Sequence, residues 1–144
     1  MNSITGTVID TSVLIKWFLQ EEILADRALL IRQDFLDGHT TLICPVISIY
    51  ECANVLCYKN NWTLEEVQSA VTSLLDMSIT WYPPSVTVFR RTVEIARQAA
   101  ITVYDAAFVA LAESQRAPFI TSDKKLVNKL PDYKFVHFLG DIHI

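Results

Sequence analysis

The alternation of apolar and polar positions divides the chain into short β-rich runs separated by longer stretches of helical spacing. Thr7-Val8-Ile9 is a strand-like run that ends on Asp10. A helical stretch follows, with Leu24, Ala28, Ile31 and Phe35 recurring at three- and four-residue steps until Asp37-Gly38 stops it. Thr41-Leu42-Ile43-Cys44 is a second strand, closed by Pro45. The segment from Val46 to about Asn60 opens with strand-forming residues but is too long for a strand, which predicts a buried helix.

Asn61-Trp62 reads as a turn, and Thr63 with Glu66 makes a capping box for the next helix. Leu64, Val67, Val71 and Leu74 form that helix's expected inner stripe. Ile79-Thr80-Trp81-Tyr82 is strand-like and ends at Pro83-Pro84. Val86, Phe89, Val93, Ala96 and Ala100 then repeat at helical steps, with Arg90, Arg91, Glu94 and Arg97 on the other faces. A helix from Tyr104 to about Ser114, a strand at Phe119-Ile120-Thr121, a short helix after Asp123 and a strand at Phe135-Val136-His137-Phe138 complete the chain. Strands separated by helices, with almost no hairpin signals, imply a parallel sheet. The predicted fold is α/β, a three-layer α/β/α sandwich with about five short strands. No repeat, low-complexity tract or linker interrupts it, so residues 1–144 are expected to form one domain.

Composition narrows the function classes only slightly. The chain has 12 basic and 16 acidic residues and a net charge of −4, which excludes a cationic coat for nucleic acid but not an enzyme acting on it locally. Apolar residues make up 51%, enough for one well-filled core. The N-terminus has no basic head, no cleavage site after its apolar run, and an aspartate within it, so neither a signal peptide nor a membrane span is expected. Cys44, Cys52 and Cys57 are odd in number and lie in apolar sequence, consistent with buried packing in a reducing, cytoplasmic setting. With no CxxC and with His39, His137 and His143 scattered, a structural zinc site is not expected.

Four carboxylates stand out against this background. Asp10 ends the first strand, and Asp123 follows the strand Phe119-Ile120-Thr121; both are at carboxyl ends, where open α/β sheets place their ligands. Glu51 interrupts the nearly apolar run IYECANVL, and Asp105 is the only charge in VYDAAFVALA. Each of the three aspartates also has a plainer reading: Asp10 and Asp123 as helix caps, Asp105 as an acceptor for free N–H groups at a helix start. Glu51 is the hardest to explain in such terms, because a mid-helix carboxylate costs several kcal/mol or is forced to protonate unless a residue distant in sequence supplies a cation. Four acids meeting at one edge would repel one another unless a divalent ion were present. Oxygen-only ligands suit Mg²⁺ or Mn²⁺, which also bind phosphate and so point to phosphodiester chemistry. Whether the acids meet depends on helix orientations that the sequence leaves open.

At these residues the chain resembles the PIN-domain family, and within it the VapC toxins of toxin–antitoxin pairs. VIDTSVLIKWFLQEE is similar to their first strand and helix, SIYECANVL to the second acidic motif, and ITVYDAAFVALAE followed by PFITSDKKL to the third and fourth. Each motif is only moderately specific, but the four stand in order across essentially the whole chain, with no departure at the acidic positions. The resemblance implies a PIN-like fold and a divalent-metal-dependent endoribonuclease that hydrolyses RNA through a metal-activated water. Asp10, Glu51, Asp105 and Asp123 carry over as catalytic and metal-binding acids, with Mg²⁺ or Mn²⁺ as cofactor. Ser12 and Thr121 carry over as supporting hydrogen-bonders. The resemblance also implies a VapB-like antitoxin and a homodimer.

RNA has to be held against an acidic site by cations on its rim. The candidates are Lys16, Arg90, Arg91, Arg97, Lys124, Lys125 and Lys129. The arginines read better as a solvated helix face, and Lys16, Lys124 and Lys125 are the expected substrate contacts. Trp17, Phe18, Trp62 and Trp81 offer stacking surfaces but read better as packing. Two alternatives stay open: a phosphoacceptor receiver module and a PIN domain serving only as a scaffold. The receiver normally has an acidic pair after its first strand, where this chain has Asp10-Thr11-Ser12. Nucleotide-binding loops of the GxGxxG or P-loop type cannot be built from Gly6, Gly38 and Gly140.

Overall fold

A computed structural model describes residues 6–143. Residues 1–5, where the N-terminal reading begins, and residue 144 lie outside the described residues. Strand β1 (Gly6–Ile9) leads into a single helical turn α1 (Thr11–Leu14) and a 3-10 turn at Ile15–Trp17. Then come α2 (Ala25–Leu36), β2 (Thr41–Pro45), α3 (Ile47–Cys57), α4 (Leu64–Asp76) and β3 (Thr80–Tyr82). The chain continues through α5 (Val86–Ala99), α6 (Val103–Gln115), β4 (Phe119–Thr121), α7 (Lys124–Asn128) and β5 (Val136–Phe138).

The strands form one sheet in the order β3-β2-β1-β4-β5, and every pairing is parallel. Side-chain alternation along each strand supplies two cores. Ile9, Leu42, Cys44 and Ile120 face the helices α1 to α4, while Val8, Ile43 and Phe119 face α5, α6 and α7. Both faces of the sheet are therefore covered, which gives the expected three layers. Phe108 of α6 stacks on Phe119 of β4 at 5.8 Å between ring centroids and joins the second helical layer to the sheet.

The capping box at Thr63 is present. Its hydroxyl accepts from the Glu66 N–H at 3.1 Å, and Glu66 Oε1 accepts from the Thr63 N–H at 3.0 Å. Thr63→Ala removes one of these two bonds and should lower stability by about 1 kcal/mol. Thermal unfolding of the variant should show a fall in Tm of a few degrees, and an unchanged Tm would contradict the cap's role.

Four expectations about packing need correction. The helical stretch after Asp10 is two helical pieces, because Leu24 adopts a left-handed φ of 68° and restarts the chain as α2. The inner stripe of α4 uses Ala70 with Val67 and Leu74, while Leu64 is exposed. Helix α3 buries only Ser48, Cys52 and Leu56, so it is not a buried helix; Tyr50, Val55 and Tyr58 are exposed, and so is Cys57. Helix α5 buries a face rotated from the predicted one, which keeps only Ala96 of the expected stripe. Thr92, Ile95 and Ala96 face the core, whereas Val86, Phe89 and Val93 are exposed. The bidentate pairing of Arg91 with Glu113 of α6 fixes that orientation.

Candidate active site

Asp10 follows directly on the last residue of the central strand β1, and its backbone N–H is bonded to the Ile120 carbonyl at 2.9 Å. Its side chain makes no capping bond to α1, so the plain cap reading does not apply. Instead, Oδ2 accepts from the Thr121 hydroxyl at 2.7 Å and from the Ser12 hydroxyl at 2.8 Å. These are the two residues expected as supporting hydrogen-bonders. Thr121 is fully buried at the end of β4, and its oxygen also accepts from the Asp123 N–H at 3.1 Å. Ser12 accepts in turn from the Ser122 N–H at 3.1 Å. The hydroxyls thus tie the ends of β1 and β4 to one carboxylate.

Glu51 lies in α3, half-buried, and its Oε1 accepts from the Thr11 hydroxyl at 2.7 Å. Asp105 is half-buried in the first turn of α6. The N-cap of that helix is Thr102, whose hydroxyl accepts from the Asp105 N–H at 3.1 Å. Asp123 is exposed and does act as a cap: Oδ1 accepts from the Leu126 N–H at 3.2 Å.

Asp10, Glu51 and Asp105 each have a carboxyl raised in part by another of the four acids. Burial raises the Asp10 carboxyl from its ordinary 3.8 to about 6, against the two hydroxyl bonds, and the charges of Asp105 and Glu51 push in the same direction. Burial also raises Glu51, opposed by the Thr11 hydroxyl and reinforced by Asp105. Asp105 is raised by burial and by Asp123, with the Thr102 hydroxyl and the Lys129 ammonium pulling the other way. Among the described residues, no three His, Cys, Asp or Glu side chains already stand in an arrangement that would hold a metal ion. The donor chemistry nevertheless fits a hard divalent cation: four carboxylates, one of them buried and, among the described residues, without an ion-pair partner.

Of the three lysines expected as substrate contacts, Lys16 does not stand on a rim. Lys16 is 8% exposed and its Nζ lies 3.2 Å from Glu22 Oε1, so it is an ion-paired internal residue rather than a rim contact. Lys124 stands 4.6 Å from the centroid of the Phe138 ring. Lys125 is exposed on α7. Trp17 belongs to the core, where Nε1 donates to the Ala28 carbonyl at 2.9 Å, and Phe18, Trp62 and Trp81 pack against the same core. The buried thiols of Cys44 and Cys52 are pushed up, Cys44 to about 12, so neither offers a thiolate nucleophile.

Sequence reasoning missed the Thr11 bond to Glu51 and the part played by Thr102. The spacing Thr102-x-x-Asp105 carries a usable sign of the second, a hydroxyl three residues before an acid at a helix start. No local spacing relates Thr11 to Glu51, which are 40 residues apart.

An apolar groove of about 320 Å³ is lined among others by Tyr50, Phe89, Val103 and Tyr104. Tyr50 and Tyr104 directly precede Glu51 and Asp105 in the chain and are 68% and 59% exposed.

Solved structures share this fold over nearly the full chain. A toxin–antitoxin complex from Klebsiella pneumoniae superposes with a TM-score of 0.67 at 19% identity, covering 94% of this chain and 99% of the other. FitAB bound to a DNA fragment gives 0.70 at 16% identity, with 96% and 98% covered. VapBC2 from Rickettsia felis, bound to a fragment of its promoter, gives 0.67 at 14% identity, with 94% and 98% covered. No curated protein sequence matches at a significant level. The sequence profile of the PIN domain matches residues 7–130, which takes in β1, α7 and all four acids between them, and the chain belongs to the PIN-domain family.

Proposed function

We propose that the chain is a divalent-metal-dependent endoribonuclease, folded as one nuclease domain and acting as the toxin of a VapBC-type pair in the cytoplasm. The observation that carries this reading is the state of Asp10. A carboxylate buried at a strand's carboxyl end, raised to about 6 and flanked by two further acids, is a poor structural element and a good cation ligand. Asp10, Glu51, Asp105 and Asp123 would hold Mg²⁺ or Mn²⁺. When bound, such an ion supplies neutralisation of the acids, an attachment point for phosphate and an acidified attacking water. Ser12 and Thr121 orient Asp10, and Thr11 orients Glu51. Lys125 and Lys124 lie on the helix that follows Asp123, Lys124 after leaving the Phe138 ring, and they serve as outer phosphate contacts.

A VapB-like antitoxin is proposed because similar solved structures are described as toxin–antitoxin assemblies. A homodimer is supported by the exposed apolar stripe Val86, Phe89 and Val93 and by the neighbouring groove, surface of a kind that proteins usually cover. The receiver alternative does not survive the family assignment.

The test is incubation of the purified protein with a broad RNA pool in Mg²⁺ or Mn²⁺ and, in parallel, in EDTA. Cleavage that appears only with metal is the expected result. Equal cleavage in EDTA would refute the metal chemistry. Failure both to cleave RNA and to bind divalent metal would leave a PIN scaffold.

A further inference from the structure

Strand register brings an aromatic residue to the edge where Asp10 stands. Ile9 of β1 pairs with Ile120 of β4, so Asp10 is level with Thr121, and Thr121 pairs with Phe138 of β5. Residues level on neighbouring parallel strands point to the same side of the sheet. Val8, Phe119 and Val136, two positions back in each strand, all pack into the core shared with α5, α6 and α7. Asp10, Thr121 and Phe138 therefore form a row on that face, two strand spacings or about 10 Å from end to end. Leu139 is buried, but Phe138 is partly exposed. Over its ring, 4.6 Å from the centroid, lies the ammonium of Lys124, an exposed residue of α7. The edge of the ring is closed: a Cβ on Gly140 would collide with its Cε2, and Arg27 donates to the Gly140 carbonyl and holds that turn against it. The ring is thus fixed in place, with one face covered by the end of a solvent-exposed side chain.

Every nucleobase has a π-face, so an aromatic ring fixed beside a strand's path can hold it without reading its sequence. We propose that Phe138 is a substrate-positioning residue, on whose ring the base of a nucleotide next to the scissile phosphate stacks in place of the Lys124 ammonium. This rests on the ribonuclease reading and adds a base contact to it. An exposed ammonium over a ring is held more weakly than a stacked base, so the exchange favours the base. The rigid ring costs little ordering on binding, because the Gly140 turn already sets its orientation.

The experiment is fluorescence anisotropy in EDTA, so that nothing is cut, with two fluorescein-labelled single strands of equal length: a mixed-sequence RNA and its abasic ribose-phosphate counterpart. Phe138→Leu keeps an apolar side chain and removes the π-face; it should weaken binding to the mixed-sequence RNA by about tenfold and leave binding to the abasic strand unchanged. Its slope of log K against log salt should equal that of the wild type, because no phosphate contact is lost. Phe138→Trp enlarges the platform and should tighten binding to the first strand alone, which keeps the proposal open to refutation even if melting curves show Phe138→Leu to be unfolded. A merely structural role would weaken both strands equally. That result would overturn the proposal, as would unchanged affinity in both variants or a wild type that does not bind RNA. Metal-dependent cleavage is read in a separate assay, so the ribonuclease reading stands or falls independently.

Discussion

Asp10→Asn should abolish RNA cleavage and, in the metal-free protein, make the fold more stable than the wild type. The two effects have one cause. In the folded protein Asp10 titrates at about 6, compared with an ordinary value of 3.8, so the folded chain holds this proton more tightly than the unfolded chain does. Its contribution to stability is fully present below 3.8 and is lost as the pH rises through about 6. Above that range the fold carries a desolvated negative charge that, among the described residues, has no ion-pair partner. Two pH units at about 1.4 kcal/mol each give a deficit of up to about 3 kcal/mol. Asparagine cannot ionise and keeps a carbonyl oxygen for Ser12 and Thr121. The stability difference between variant and wild type in EDTA should therefore be small near pH 4 and grow to its full size by pH 7.5, worth on the order of 10 °C in Tm. Mn²⁺ should then raise the Tm of the wild type by mass action and leave that of the variant nearly unchanged. Denaturation curves at the two pH values check this, and a gap that does not widen with pH would contradict the account.

Thr121→Val should have the second-largest effect. The side chain is fully buried, so valine fills nearly the same space while removing a donor and an acceptor. Asp10 would lose its 2.7 Å bond and keep only Ser12, and the Asp123 N–H would lose its 3.1 Å acceptor. A hydrogen bond to a charged group contributes about 1.5–3 kcal/mol, and losing such a support typically costs about 10–100-fold in metal affinity or activity. Cleavage at limiting Mn²⁺ should fall by that factor and recover in part when Mn²⁺ is raised. Thr121→Ser should retain most of the activity. Undiminished activity of Thr121→Val at limiting Mn²⁺ would show that the hydroxyl does not orient Asp10.

The parts of this architecture that could be read from sequence are those decided by neighbours in the chain. β1, β2 and β4 were legible because short apolar runs end on Asp10, Pro45 and the Thr121-Ser122-Asp123 turn. The start of α4 was legible because Thr63 and Glu66 satisfy each other three residues apart. The face that α5 buries was not. Its sequence holds two apolar stripes, Val86-Phe89-Val93 and the one through Thr92, Ile95 and Ala96, and only packing against α6 selects between them. The break at Leu24 carries no warning either, since a leucine rarely adopts a left-handed φ and does so here by tertiary constraint.

The site divides along the same line. The four acids stood out because an apolar setting makes a carboxylate conspicuous. The threonines that hold Glu51 and Asp10 depend on contacts between residues far apart in the chain. Lys16 illustrates the limit: its position after the first acidic motif suggested a phosphate contact, but its stem is buried and its ammonium is paired with Glu22. Asp123 illustrates another, because a helix cap and a site acid were both open readings of it, and spacing alone could not show that its side chain caps α7.

The most direct test of the central claim, that these acids form one metal-dependent RNA-cutting site, is cleavage by Asp105→Asn beside the wild type in saturating Mn²⁺. Matched circular dichroism and melting curves would establish that both are folded. The account predicts metal-dependent cleavage by the wild type and none by the variant. Full activity of a folded Asp105→Asn, with metal rigorously controlled, would contradict it.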